Sequence, residues 1–248
     1  MAPVLHGKTA IVTGAARRIG AATVRALHDA GANVLIHFRG ADGDAAALEA
    51  ALNGARERSA SRVQADLLAD GAPRIVVDAA LAAFGRIDVL VNNASMFYPT
   101  PLGGVAAAQW DELLGSNLRA PFFLAQAAAP HLARARGAIV NITDIHSERP
   151  LKGYPVYSVA KAGLAGLTRV LALELAPEVR VNAVAPGAIA WPEDGQFDPA
   201  ERERIVATTP LARIGSPEDI ARAVLAACTM PFVTGQTIAV DGGRSVFL

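Results

Sequence analysis

Thr9-Ala10-Ile11-Val12-Thr13-Gly14-Ala15-Ala16-Arg17-Arg18-Ile19-Gly20 is the stretch on which the reading of the fold turns. It begins as a short apolar run, bends through a glycine-bearing turn, and continues into the helical pattern of residues 19–30. A strand that turns through glycine into a helix offers backbone N–H groups and the positive end of a helix dipole to a phosphate. The simple G-x-G-x-x-G spacing is absent, so the turn alone is a moderate signal, with an ordinary strand–helix connection as the alternative.

Outward from this unit the same rhythm repeats. Strands are predicted at 9–13, 33–38, 62–65, 88–92, 138–143, 180–184 and 237–240, and helices at 19–30, 45–56, 73–84, 109–133, 156–175 and 217–228. Val89-Leu90-Val91 and Ile139-Val140 are unbroken apolar runs, as expected of strands covered on both faces. Strict alternation of strand and helix implies a parallel α/β sheet with right-handed crossovers and helices on both sides. Residues 188–209 break the rhythm with Pro192, Gly195 and Pro199 among polar residues, and with Trp191 and Phe197; they read as a substrate lid with a short helix. No linker or repeat divides the 248 residues, so residues 1–248 are taken as one domain.

Composition narrows the function. There are 23 Lys+Arg and 23 Asp+Glu, a formal net charge of zero, with 52% hydrophobic and 19% charged residues. Such a chain can bury a core and is not disordered. It carries no overall basic excess to suit nucleic acid. The single cysteine, Cys228, forms no internal disulfide and provides no thiolate metal set; it reads as a buried, inert thiol in a reducing compartment. No His/Asp/Glu group has metal-ligand spacing. The first residues lack a signal-peptide pattern, and no apolar run reaches the ~18 residues of a membrane span. These features predict a soluble, cytoplasmic globular protein.

The second strand ends His37-Phe38-Arg39, with no acid before Asp42. An acid at that point would accept from a ribose hydroxyl, whereas a guanidinium suits a 2′-phosphate. Residues 14–40 hold Arg17, Arg18, Arg25 and Arg39 against Asp29 alone, which favours NADPH. Further along, Tyr157-Ser158-Val159-Ala160-Lys161 places a phenol and an ammonium one helical turn apart on one face. A nearby cation lowers a phenol's pKa from about 10 and makes it a usable proton donor.

With these motifs in order the chain resembles the short-chain dehydrogenase/reductase family. The resemblance rests on Thr13-Gly14, Asp66-Leu67, Asn92-Asn93-Ala94, Asn117, Tyr157 with Lys161, Pro186-Gly187 and Val240-Asp241-Gly242-Gly243, and it spans nearly the whole chain. It implies a Rossmann-type, doubly wound, seven-stranded sheet and a homotetramer, for which the apolar helices at 109–133 and 156–175 would suit an interface. It also implies cofactor contacts from Gly14, Arg17, Arg18 and Ile19 on the turn, and from His37, Phe38 and Arg39 after the second strand. Asp66 and Leu67 would follow from the third strand, Asn93, Ala94 and Ser95 from the fourth, and Thr143 from the fifth. Pro186, Gly187 and Ala188 would close the set, with Tyr157 and Lys161 beside the nicotinamide.

Three departures from the usual pattern are similar to the pteridine reductase branch. Arg18 stands where glycine is usual, Ser95 follows Asn-Asn-Ala in place of glycine, and Asp144 occupies the usual serine position thirteen residues before Tyr157. The run Asn92 to Leu102 resembles that branch as well. The implied activity is hydride transfer from NADPH to dihydrobiopterin-like pterins, with dihydrofolate or folate as further substrates. Asp144, Tyr157, Lys161 and Asn117 would be catalytic, Asn117 by holding a water that connects Lys161 to solvent. Arg17, Ser95, Phe97, Asp144, Tyr157 and Trp191 would meet substrate, Phe97 by stacking on a flat ring. Asp144 also has a local reading, as the cap of a turn. The alternatives are another carbonyl reductase on the same frame, such as one for 3-oxoacyl thioesters, or a non-catalytic NADP-binding sensor.

Overall fold

A computed structural model describes residues 3–191 and 197–247. The central part of the expected lid, 192–196 with Pro192 and Gly195, lies outside the described residues. The elements are β1 (Thr9–Val12), α1 (Arg18–Asp29), β2 (Asn33–Phe38), α2 (Asp42–Ala55), β3 (Ala60–Gln64), α3 (Ala72–Phe84) and β4 (Val89–Asn92). There follow α4 (Ala107–Leu114), a π-helical turn (Gly115–Arg119), α5 (Ala120–Ala135), β5 (Ala138–Ile142), a 3₁₀ turn (Ile145–Ser147) and α6 (Pro155–Glu174). The last are β6 (Arg180–Pro186), α7 (Pro199–Ala207), α8 (Pro217–Thr229), β7 (Thr237–Val240) and α9 (Arg244–Phe247).

The seven strands form one parallel sheet in the order β3-β2-β1-β4-β5-β6-β7. Side chains alternate across it with the two-residue period of a strand. Ala10, Val12, Val34, Ile36, Val89 and Val91 enter one core, where Val24 and Leu27 of α1 and Ile220 and Val224 of α8 cover them. Ile11, Leu35, Leu90 and Ile139 enter the other, covered by Val76 and Val77 of α3, Leu124 and Leu132 of α5, and Leu171 of α6. The expected seven-stranded architecture is therefore present, with most element ends within two or three residues of the sequence reading.

Strand order reverses between β1 and β4, and ligands of such sheets bind beyond the strand ends at that point. Here the two ends are stapled together. Thr13 Oγ1 accepts from the Asn93 and Ala94 amides, both at 2.9 Å. The Asn93 amide nitrogen donates back to the Thr13 and Gly14 carbonyls at 2.8 and 3.0 Å. Gly14 has φ 59°, and a Cβ there would lie 2.9 Å from Ala94 Cα, so both its conformation and its neighbour require glycine.

One expected helix is continuous but not regular. The 109–133 pattern is observed as α4 and α5 joined by the π-helical turn that contains Asn117. Such a turn carries one extra residue in the helical ladder and often sits at a functional site.

Candidate active site

β5 ends where Thr143 donates from Oγ1 to the Val184 carbonyl at 3.1 Å, and the chain then extends through Asp144 into the 3₁₀ turn. Asp144 uses its two oxygens differently. Its Oδ1 accepts from the His146 amide at 2.8 Å, capping the turn, while its Oδ2 accepts from Tyr157 Oη at 2.7 Å. Pro155 opens α6, where its missing N–H costs nothing, and sets Tyr157 and Lys161 on the helix face turned towards β5. Both are almost fully buried. Lys161 Nζ donates to the Ile142 carbonyl at 2.9 Å and lies 5.6 Å from the centre of the Tyr157 ring.

The electrostatics differ from the sequence expectation that Lys161 lowers the Tyr157 pKa. Burial, then the Asp144 charge and its hydrogen bond, push the Tyr157 phenol well above its usual range. Burial pulls the Lys161 ammonium down to about 8, and Asp144 partly opposes that. The physical reason is that the cation approaches the ring face, whereas a carboxylate holds the hydroxyl itself. The resting pair therefore stores a proton on Tyr157.

Asn117 is completely buried. Its Oδ1 accepts from Ser95 Oγ at 2.7 Å, and its Nδ2 donates to the Met96 and Leu113 carbonyls at 2.9 and 3.0 Å. The side-chain amide is thus occupied in tying the segment after β4 to the π-helical turn.

A cavity of about 340 Å³ opens over this group. Its walls bring together Arg18, Ile19, Asn93, Ser95, Phe97, Thr143, Asp144, Tyr157, Lys161, Pro186, Gly187, Ala188 and Trp191. Phe97 stacks on Tyr154 at 4.7 Å, meets Tyr157 edge-on at 4.8 Å, and has Phe197 nearly parallel to it at 6.5 Å. Trp191 lies 6.0 Å from Phe197 and takes the Arg202 guanidinium over its ring at 5.3 Å. These flat groups make an aromatic compartment beside the Asp144–Tyr157 bond.

A second cleft of about 170 Å³ is lined by Gly14, His37, Arg39, Asp66, Leu67, Ala94 and Ser95. His37 accepts from the Gly14 amide at Nδ1 (3.2 Å), so its Nε2 carries the proton that bonds the Ala65 carbonyl at 3.1 Å. Burial lowers its pKa and favours that neutral ring. Arg39 is exposed and makes no ion pair among the described residues. The first turn of α1 contains no acid to compete for its amide groups. The close Gly14–Ala94 approach, that bare helix end and the uncommitted Arg39 fit a phosphate-bearing dinucleotide.

Two expected contacts are not brought in. Arg17 has extended backbone and its guanidinium pairs with Asp44 at the start of α2, at 2.5 Å, away from both cavities. Arg18, with φ 51°, turns the other way and enters the main cavity, where Nη2 donates to the Ala190 carbonyl at 2.7 Å and the Ile189 carbonyl at 3.3 Å. Phe38 is buried in the core and lines neither cavity. Asp44 also lies just beyond the window in which four arginines faced one acid, so part of that local excess is cancelled.

The structure adds residues that the sequence reading did not select for the site. Tyr154, Glu201, Arg204 and Arg244 meet Phe97 or line the cavity, and so does His146, whose Nδ1 donates to the Arg149 carbonyl at 2.7 Å. The proximity of His146 and Tyr154 to Asp144 and Tyr157 in sequence was a usable signal. Nothing in the sequence joins Arg204 to Arg244.

The family profile described as enoyl-(acyl carrier protein) reductase matches residues 14–245. Pteridine reductase 1 of Leishmania tarentolae is 40% identical, with 96% of each chain covered. The granaticin polyketide synthase putative ketoacyl reductase 2 of Streptomyces violaceoruber is 39% identical, with 94% of each chain covered. The 3-oxoacyl-(acyl-carrier-protein) reductase FabG of Staphylococcus aureus is 35% identical over 95% of this chain and 97% of its own.

Proposed function

The chain belongs to the short-chain dehydrogenase/reductase family of oxidoreductases, and from that premise we propose that it is an NADPH-dependent pteridine reductase acting on dihydrobiopterin- or dihydrofolate-like rings. The observation that carries this reading is the 2.7 Å bond from Tyr157 to Asp144 at the wall of an aromatic cavity. A ketone oxygen is served by a neutral hydroxyl donor. A ring nitrogen must receive a proton, and the Tyr157–Asp144 pair holds one at the cavity wall; because the carboxylate raises the phenol's pKa, release of that proton relies on the compensating Lys161 ammonium.

When bound, the nicotinamide supplies the hydride that adds to the carbon of a ring C=N bond. Gly14 and the first turn of α1 hold the phosphates, Arg39 the 2′-phosphate, and Lys161 the nicotinamide ribose. Phe97, Trp191 and Phe197 exclude water and hold the flat ring. Tyr157 delivers the proton to the ring nitrogen. The charge left on the Tyr157–Asp144 pair is compensated by the Lys161 ammonium, which burial keeps close to its titration point.

The near-equal identity to a ketoacyl reductase supports a second reading, reduction of a 3-oxoacyl thioester on the same frame. Asp144 counts against it. NADPH oxidation measured with dihydrobiopterin and with a 3-oxoacyl thioester separates the two: preferential turnover of the pterin is expected, and good thioester turnover without pterin turnover rejects the pteridine assignment. A homotetramer is part of the proposal; exposed Trp110, Phe122, Phe123 and Leu173 on α4, α5 and α6 support it. So is a single domain working in the cytoplasm. The long apolar α6 is packed against β5 and β6, as a core helix is.

A further inference from the structure

We infer that the lid end of the main cavity is a subsite for an anionic substituent, in which Arg204 of α7 and Arg244 of α9 receive a carboxylate or phosphate carried on an arm of the substrate. The inference deepens the reading above and rests on it for the reacting ring. Arg204 and Arg244 both line the cavity that contains Asp144 and Tyr157. Phe97, Trp191 and Phe197 line the same cavity, so a proton-donating pair, flat aromatic groups and these two cations share its walls.

The cations at that end are poorly matched. Arg244 is held by its Nη1, which donates to the Ile205 carbonyl at 3.0 Å and to Thr208 Oγ1, and its Nε and Nη2 have no partner among the described residues. Asp241, near Arg244, already accepts from the Gly243 and Ser245 amides at 2.9 and 2.7 Å. Arg204 is mostly exposed and has only a loose pair with Glu201 at 3.6 Å, one turn earlier on α7. Burial first, and then the neighbouring Arg204 charge, pull the Arg244 pKa down, with Asp241 partly opposing the shift. An anion between them relieves that repulsion.

The other charged side chains on the walls, among the described residues, are committed elsewhere: Asp144 to Tyr157 and His146, Lys161 to Ile142, and Arg18 to Ile189 and Ala190. Among the described residues Glu201 is the wall carboxylate paired with Arg204, and it sets the sign of a second variant.

The test uses a charged and a neutral member of each substrate class, with the full chain and saturating NADPH. The pairs are dihydrofolate with dihydrobiopterin, and acetoacetyl coenzyme A with acetoacetyl-N-acetylcysteamine. In whichever class is reduced, Arg204→Met lowers the charged-to-neutral ratio of kcat/KM about fivefold through KM, the scale of one partly exposed charge pair. Glu201→Gln raises that ratio. Added salt lowers it in the unmodified protein and acts less on Arg204→Met. An unchanged ratio in Arg204→Met, or a ratio lowered by Glu201→Gln, overturns the subsite. Reduction of the thioesters without the pterins rejects the pteridine reading alone, and the subsite then stands or falls on the thioester ratio. Titrating the NADPH-bound protein with 4-aminobenzoylglutamate gives a readout without turnover: binding weakened by Arg204→Met supports the subsite, and equal binding rejects it.

Discussion

Replacing Asp144 with asparagine keeps the shape of the site and removes one charge, and its effect can be worked out beforehand. Lys161 titrates near 8 because burial disfavours its ammonium, while Asp144 is the group that opposes the shift. Lys161 Nζ lies 5.6 Å from the ring whose hydroxyl holds Asp144 at 2.7 Å. At such separations a unit charge pair in an effective dielectric of about 20 is worth about 2 kcal/mol, or about 1–2 pKa units. The ammonium of Asp144→Asn should therefore lose its proton at a correspondingly lower pH. The assay is the pH profile of kcat/KM for NADPH, which reports groups of the free enzyme. In the unmodified protein the alkaline limb falls near pH 8; in the variant it moves acidward by about 1–2 units. Lys161→Arg, whose guanidinium stays charged throughout, removes the limb and assigns it to Lys161 rather than Tyr157. A limb that stays in place in Asp144→Asn, or moves to higher pH, refutes the electrostatic account.

Three further outcomes follow from the same geometry. Lys161→Met abolishes turnover yet stabilises the cofactor-free fold: the shift from 10.5 to about 8 costs about 3 kcal/mol at neutral pH, and the orphaned Ile142 carbonyl returns about 1–3 kcal/mol of that cost, leaving a net gain of about 1 kcal/mol, which thermal unfolding reads as about 2–4 °C. Because the folded pKa is the lower one, the penalty is complete below about pH 8 and fades as pH rises towards 10.5, so the gain in Tm must shrink over that window. Arg39→Ala lowers the preference for NADPH over NADH about tenfold, measured as a ratio of kcat/KM, with the NADH value itself little altered. Gly14→Ala costs about 2–4 kcal/mol in chemical denaturation, from a left-handed backbone together with a methyl pressed against Ala94; a variant as stable as the parent contradicts the claimed close approach.

The features legible in sequence were those with a fixed local spacing. Tyr157 and Lys161 sit four residues apart on a helix, so their shared face followed from helical geometry alone. Unbroken apolar strands alternating with longer helical patterns gave the parallel sheet. What escaped depended on backbone detail or on distant contacts. Arg17 and Arg18 are adjacent and chemically identical; only an extended residue followed by a left-handed one sends the first to Asp44 and the second into the cavity. Phe38 looked like a cofactor contact by position, and the inward face of its strand buries it. Lys161 was expected to lower the Tyr157 pKa, because sequence places the charges near one another without showing which atom each approaches. Arg204 and Arg244 meet only through tertiary packing of α7 against the C-terminal turn.

The π-helical turn at 115–119 has a consequence of another kind. A regular helix advances about 100° per residue, so one surplus residue rotates everything after it by that angle about the axis. α5 therefore addresses the sheet with a phase that α4 could not have handed to it directly. Removing a single residue from 115–119 would heal the hydrogen-bond ladder and look, locally, like an improvement. The same deletion would swing Asn117 off Ser95 and Met96, or else turn Leu124 and Leu132 away from the core. The irregularity acts as a gear offset: it lets one continuous rod satisfy two angular demands, one set by the active site and one by the sheet.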